Sequence, residues 1–339
     1  MGMTYLYMHS SFREKLKTKM TETFRAEPDT PSLVNEIAAL NPTNPFYTLQ
    51  YIAFRRTLGL TPWILTSGDN AQSKVYCPAF MKTGRLRCSL EIPSMPNIPV
   101  NDPFWQGLMN FCRREGISDF SVNSFCSPGG AIPQLNHEKS RKARWEYVLD
   151  LKHPDTLTKM RKAHAYRVKR ARKTGVEMRR VHNIEAVETH AQLISASMQR
   201  RKDRGENVTT SVQTNDLLRL IESGAGEIFQ AVLAGQVVSS NIILTAKKAG
   251  YSHTQGTSPE GMECGAAHFL IHEIAWALRD EKKEFFNLGG TDDPDPESGL
   301  VKFKAGFAPV TEKIALESAT FEPGNLSASL LRRVMARGL

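Results

Sequence analysis

Apolar residues recur four apart at Phe12, Leu16, Met20 and Phe24, one face of a helix, and "EPDTPS" then breaks the pattern. A second helix is predicted over "NPFYTLQYIAFRRTLG", stopped by Gly59, and three strand-like pieces follow it: "PWILTS", "SKVYCPAF" and "RLRCSLEI". "PSMPNIP" reads as a proline-punctuated loop, "DPFWQGLMNFCRREG" as a helix running to Gly116, and "ISDFSVNSF" as a buried strand. The first half is therefore mixed α and β.

The second half opens with a strand at "RWEYVLD", followed by a helix with Pro154 and Asp155 in its first turn and Gly175 as its stop. Helical stretches "IEAVETHAQLISASMQRRK" and "TNDLLRLIES" lead into "EIFQAVLAGQVVSSNIILTAKKAGYSHTQGT", three strands joined by tight turns around Ala234-Gly235 and Ala249-Gly250. "GAAHFLIHEIAWALRDE" is apolar over much of its circumference, which predicts a buried helix; "KEFFNLGG" and "FKAGF" are predicted strands. Both halves thus run from a strand-rich centre to a helix and one more strand, without a residue-level repeat.

Composition narrows the class. The 339 residues are 40 % hydrophobic, enough for a sizeable core and for two domains. The N-terminus lacks the basic-then-apolar order of a signal peptide, and no run has the apolar length of a membrane span, so a soluble, cytoplasmic protein is expected. Cys77, Cys88, Cys112, Cys126 and Cys264 are odd in number and unpaired in spacing, which reads as structural thiols. The net charge of +9 is concentrated: Lys152 to Arg204 holds 15 Lys/Arg against 5 Asp/Glu, a net of +10, and leaves −1 for the rest. One segment, not the whole surface, is built for an anionic partner.

That segment includes "LTKMRKAHAYRVKRARKTGVEM". Leu157, Met160, His164, Val168 and Ala171 form one stripe, and Lys159, Arg161, Lys162, Arg167, Lys169, Arg170, Arg172 and Lys173 cover the rest, with no acidic residue between Thr156 and Val176. A basic face without local counter-charges is most easily understood if phosphates neutralise it, and "QRRKDRG" could extend it. His268 and His272 stand in H-x-x-x-H-E order, which misplaces the glutamate of a zinc-protease motif, and "DDPDPESG" lacks the glycine of an EF-hand loop. Neither predicts a metal. No Ser-His-Asp or Cys-His arrangement points to a covalent enzyme intermediate.

The stretch "NLGGTDD", an acidic loop, then "GLVKFKAGF" resembles the signature of the Fem peptidyltransferases, which carry two GNAT-like halves. "NPFYTLQYIAFRRTLG", "LEIPSMP" and the basic helix ending in Gly-Val are similar to three further places in that family, so the resemblance spans about residues 44 to 310. It implies an α/β (α+β) fold of two tandem GNAT-like domains, each a mixed central sheet flanked by helices. The expected division is a helical extension over 1–30, an acceptor-side domain over 31–150 and a catalytic domain over 151–339. The implied reaction is acyl or aminoacyl transfer to an amine or hydroxyl, on a peptidoglycan precursor or a small molecule. Lys304, the lysine of the "FK" pair, would polarise the carbonyl from a strand edge, with Phe303 as a wall of the donor pocket. Tyr251 would donate to the leaving oxygen or orient the donor, and Asp292 and Asp293 would grip the acceptor amine.

Two donors remain open. "SPEGMECGAA" lies where GNAT enzymes hold the pyrophosphate of coenzyme A on a glycine-rich turn. Gly265, Ala266 and Ala267 supply small residues, but Met262 replaces the family's Gln or Arg and Glu263 adds a negative charge. This departure shifts the expectation from acyl-CoA towards aminoacyl-tRNA, whose acceptor stem would suit the basic helix. No bound cofactor is expected beyond the donor substrate. A non-catalytic RNA-binding module with a degenerate transferase fold is the alternative from another class.

Overall fold

A computed structural model of the chain describes residues 24–68, 74–85, 87–206, 208–308 and 311–323. In chain order the first elements are β1 (Phe24–Pro28), α1 (Pro31–Leu40), a 3-10 turn (Pro45–Tyr47), α2 (Leu49–Thr57), β2 (Thr61–Ser67), β3 (Val75–Thr83), β4 (Cys88–Ile92), α3 (Pro103–Arg114), β5 (Asp119–Asn123) and β6 (Glu138–Asp150). Then come α4 (Lys162–Lys173), β7 (Glu177–Val181), α5 (Ile184–Asp203), α6 (Thr214–Glu222), β8 (Gly226–Leu233), β9 (Gln236–Thr245) and β10 (Ala249–Thr257). The last are α7 (Pro259–Cys264), α8 (Ala266–Asp280), β11 (Phe285–Thr291), α9 (Gly299–Ala305) and β12 (Glu312–Phe321).

The described residues form two compact units, one from 24–33, 59–143 and 316–323, the other from 34–58 and 144–315. In the first, β1 to β4 form an antiparallel meander, β5 returns parallel to β4 after the α3 crossover, and β12 pairs antiparallel with β5. Its core gathers Phe104, Phe111, Phe120 and Phe321, with Asp102 capping α3 by accepting from Phe104 N. In the second, β7 to β10 are antiparallel, β11 returns parallel to β10 after α7 and α8, and β6 pairs antiparallel with β11. Each unit is thus a mixed sheet with one parallel pair bridged by a helical crossover. The shared topology is the two-fold pattern that the sequence suggested without repeating residues.

Several local expectations need correction. "FKAGF" is not a strand: Ser298 Oγ accepts from Val301 N and starts α9, which carries Phe303 and Lys304. The basic helix begins at Lys162, since Pro154 to Thr158 form turns in which Thr156 Oγ1 donates to Asp150 O. Gly250 lies within β10, where a Cβ would stand 2.7 Å from Leu278 Cδ1, so it is a packing glycine and not a turn. Of the stripe predicted for the opening helix, Phe12, Leu16 and Met20 lie outside the described residues, and Phe24 begins strand β1. Cys77, Cys88, Cys112 and Cys264 are buried free thiols.

Candidate active site

Everything that follows lies within the second unit. Strands β10 and β11 pair over only three positions, Ala249↔Phe285, Gly250↔Phe286 and Tyr251↔Asn287. Just beyond, both are irregular: β10 has an extra residue, His253, between Ser252 and Thr254, and β11 has one between Asn287 and Gly290. Bulges on both sides of one parallel pair end the pairing and leave unladdered backbone at the centre of a sheet.

Lys304 fills this place. Its side chain is 8 % exposed, and Nζ donates to Leu288 O at 2.5 Å. Gly289, with φ +75°, turns the backbone there: a Cβ would stand 2.7 Å from Ser252 O and 3.4 Å from Lys304 Nζ. Only glycine fits that conformation and that gap. Asn287 fixes the turn, donating from Nδ2 to Glu146 Oε2 at 2.7 Å and accepting from Gly289 N at 2.8 Å.

Burial pulls the Lys304 ammonium down to about 8, with the Glu146 carboxylate opposing and Arg144 reinforcing the shift. Glu146 is fully buried, and its charge works against the desolvation that favours the neutral lysine. The group is therefore a cation poised near its own titration point. Such a combination of burial and a specific charge partner makes Lys304 a candidate functional group.

Tyr251 is buried at the last paired position and packs edge-on against Phe46, ring centroids 5.4 Å apart. Phe303 joins a four-ring cluster with His164, His268 and Phe307; His164 and His268 lie 4.6 Å apart, and Phe303 lies 4.8 Å from His268. His164 Nε2 donates to Phe303 O, and burial, with Arg161 and Arg167 nearby, holds its imidazolium below the ordinary range. Burial first, and then His164, lowers His268 to about 3. Both rings are neutral at physiological pH, so the wall behind α9 is aromatic and uncharged.

The acidic loop is partly structured: Asp293 Oδ1 accepts from Asp295 N, and Asp295 Oδ1 from Glu297 N. Asp292 is exposed and Asp293 half-buried, where its charge helps burial raise the Tyr147 phenol. His272 Nε2 accepts from Trp276 Nε1 at 3.2 Å, a contact one turn along α8.

"SPEGMECGAA" is not an open glycine-rich turn. Residues 259–264 wind into α7 and Gly265 (φ +85°) passes directly into α8; a Cβ there would stand 2.7 Å from Arg167 O. Ala266 is fully buried. All eight basic residues from Lys159 to Lys173 are exposed, but two have carboxylate partners: Arg172 with Glu273 at 2.6 Å and Lys159 with Asp155 at 2.9 Å. The basic face is thus not wholly unpaired, as the local sequence implied, because Glu273 arrives from α8. Arg201 and Arg204 of "QRRKDRG" both pair with Glu206.

The sequence reading singled out Lys304, Phe303 and Tyr251 as candidates and assigned no role to Glu146, Asn287, Ser252, His253 or Gly289, which the structure places around Lys304 and the end of the β10–β11 pairing. The one available signal was a glutamate at an inward position of the strand "RWEYVLD", where a charge demands a partner.

Residues 158–297 match the model of the acetyltransferase (GNAT) domain, and this part of the chain is an acyltransferase domain. No curated protein matches the sequence. Among solved structures, FemX is similar in fold, at 12 % identity and TM-score 0.61 over 92 % of this chain and 100 % of that one. A conserved protein of unknown function from Bacteroides thetaiotaomicron follows at 14 % identity and TM-score 0.55, over 88 % of this chain and 100 % of that one. A tandem GNAT protein from the clavulanic acid biosynthesis pathway is similar at 10 % identity and TM-score 0.50, over 89 % and 99 %. No helix among the described residues is long and apolar enough to cross a membrane.

Proposed function

We propose that the protein transfers an aminoacyl group from tRNA to an amine or hydroxyl acceptor by direct attack in a ternary complex. The single observation that carries this reading is Lys304: a buried, glutamate-supported cation reaching the gap where β10 and β11 part. The nucleophile's lone pair forms the new bond to the ester carbonyl carbon, and the carbonyl π electrons move to oxygen, where Lys304 stabilises the charge. Collapse then expels the ribose oxygen, and the proton lost by the acceptor ends on that oxygen. A fixed donor at a developing oxyanion lowers such a barrier by roughly 3–4 kcal/mol. Tyr251 is assigned to orienting the donor ester, and Asp292 and Asp293 to holding the acceptor amine.

Two features favour tRNA over coenzyme A. Helix α7 and the Arg167 backbone occupy the ground where a pyrophosphate would meet an open glycine turn. Arg167, Lys169, Arg170 and Lys173 of α4 are solvent-facing. An acyl-CoA donor is the second reading, favoured by the GNAT match itself. The test is to offer a pool of charged tRNAs and, separately, acetyl-CoA, and to follow donor loss in wild type and Lys304→Met. Lysine-dependent loss of an aminoacyl-tRNA supports the proposal; turnover of acetyl-CoA alone overturns the choice of donor.

The basic face gives a second expected result. Reversing Lys169, Arg170 and Lys173 to Glu should weaken tRNA binding at low salt and reduce the steepness of log K against log[salt] by roughly 2–3. An unchanged salt slope would remove α4 from the tRNA interface.

A further inference from the structure

The face of the sheet covered by α8 carries a polar island in an otherwise apolar core. Asn241 on β9 lies opposite Phe229, a core residue that packs with α8, and directly opposite Gln255 on β10, so all three share that face. Asn241 is fully buried. Ser252 Oγ donates to Asn241 Oδ1 at 3.1 Å, which engages the amide oxygen and leaves the Nδ2 donors. Neither Asn241 Nδ2 nor Gln255 Nε2 has a hydrogen-bond partner, although both atoms are shielded from solvent. Two carboxamide donors on neighbouring strands are therefore buried side by side and unspent. Native cores rarely leave such donors unmatched without a purpose, because each costs about 1–3 kcal/mol.

Their position suggests the purpose. Ser252 touches both places: its hydroxyl bonds Asn241, while its carbonyl oxygen faces Gly289 beside Lys304 Nζ. The island is thus one residue removed from the proposed reaction centre, on the β10 side of the gap. We propose that Asn241 and Gln255 form a subsite for the transferred acyl group, donating two N–H hydrogen bonds to an oxygen on that group's side chain. The occupant is an acyl or aminoacyl group bearing a carbonyl, carboxylate or hydroxyl oxygen, not a branched aliphatic one. An aliphatic side chain would leave both donors desolvated and unpaired, whereas an oxygen satisfies them; sites of this kind discriminate strongly against the analogue that lacks the polar atom.

The inference deepens the transfer reading but is tested apart from it. The probes are the methylamides of asparagine, serine and leucine, which carry the acyl group without tRNA or coenzyme A. In 15N-labelled protein, the side-chain NH2 signals of Asn241 and Gln255, assigned by their disappearance in Asn241→Leu and Gln255→Leu, should shift with the asparagine or serine probe and not with the leucine probe. In turnover of the charged tRNA pool, Asn241→Leu should reduce use of oxygen-bearing aminoacyl groups at least tenfold relative to leucyl and valyl groups. Its thermal midpoint should change little, since loss of the buried unmatched donor is offset by the Ser252 hydroxyl left without its acceptor. NH2 signals that respond to no probe, or equally to all three, overturn the subsite, as does an unchanged donor preference in a folded Asn241→Leu. Lys304→Met should retain the probe response. A probe response together with lysine-independent turnover would keep the subsite and refute the role of Lys304.

Discussion

Lys304→Met is expected to lower acyl transfer by about 10²–10³, the range for loss of one oxyanion donor, while the protein stays folded. The methionine keeps an unbranched apolar stem, one atom shorter, and loses the ammonium that donates to Leu288 O and faces the Glu146 charge. The ordinary lysine value is 10.5 and the buried group titrates at about 8, so burial costs about 3 kcal/mol that the fold tolerates. The sign for stability follows from proton counts. Between about 8 and 10.5 the unfolded chain holds this proton and the folded one does not, so wild-type stability rises with pH across that window. Below pH 8 both states are protonated and the full penalty is present. Lys304→Met should lose this alkaline rise, while at pH 7 the lysine's removed penalty is set against the buried Glu146 carboxylate left without its cation. Measured unfolding free energies at pH 7 and pH 10 check it; a variant that unfolds at pH 7 would make the lysine structural.

Gly289→Ala should be the most damaging one-carbon change at the site. Alanine at φ +75° is strained by about 1–2 kcal/mol, and its Cβ would stand 2.7 Å from Ser252 O, which is backbone and cannot swing away. Forced accommodation adds about 1–3 kcal/mol, so a loss of about 2–4 kcal/mol is expected by denaturant unfolding. The displaced turn also carries Leu288 O, the anchor of Lys304, so transfer should fall even where the variant is folded. Gly175→Ala is the comparison: φ is +82°, but no atom lies within 4 Å of its Cβ position, so only the strain is incurred. Equal losses at both glycines would show that the approach of β10 to β11 is not tight.

What the sequence made legible follows the reach of each signal. The alternation of strands and helices, with a helix before each late strand, was readable because binary periodicity is local. The parallel pairs β4 with β5 and β10 with β11 are the topology that alternation implies. "FKAGF" misled because five residues with apolar ends fit either period. The deciding feature was Ser298, three residues before Val301, whose capping bond makes the segment helical. Lys304 consequently points inward from a helix and is buried, where a strand edge would have exposed it.

The basic helix misled at its start for a related reason. Pro154 and Asp155 mimic a helix N-terminus, but Thr156 bonds back to Asp150 O and holds a turn, so the helix waits until Lys162. The glycine turn at Gly265 was recognised as special, but its use was not. Its positive φ joins two helices against Arg167, and nothing within "SPEGMECGAA" announces a neighbour almost a hundred residues away. The roles of Asn287 and Ser252 were invisible for the same physical cause, and Glu146 showed only as a charge in an apolar strand: each acts through partners brought together by strand register. The partial screening of the basic face by Glu273 is another product of packing.

The most direct test of the central claim is a pH profile of single-turnover aminoacyl transfer, using an acceptor that is already neutral throughout the range and subtracting uncatalysed ester hydrolysis. If protonated Lys304 is the group that stabilises the carbonyl oxygen, the wild-type rate is level near pH 7 and falls as pH rises through about 8, while the residual rate of Lys304→Met shows no such limb. A rate that instead climbs through about 8 would mean that the neutral amine is the working form, and would contradict the assignment of Lys304 as the cation of this site.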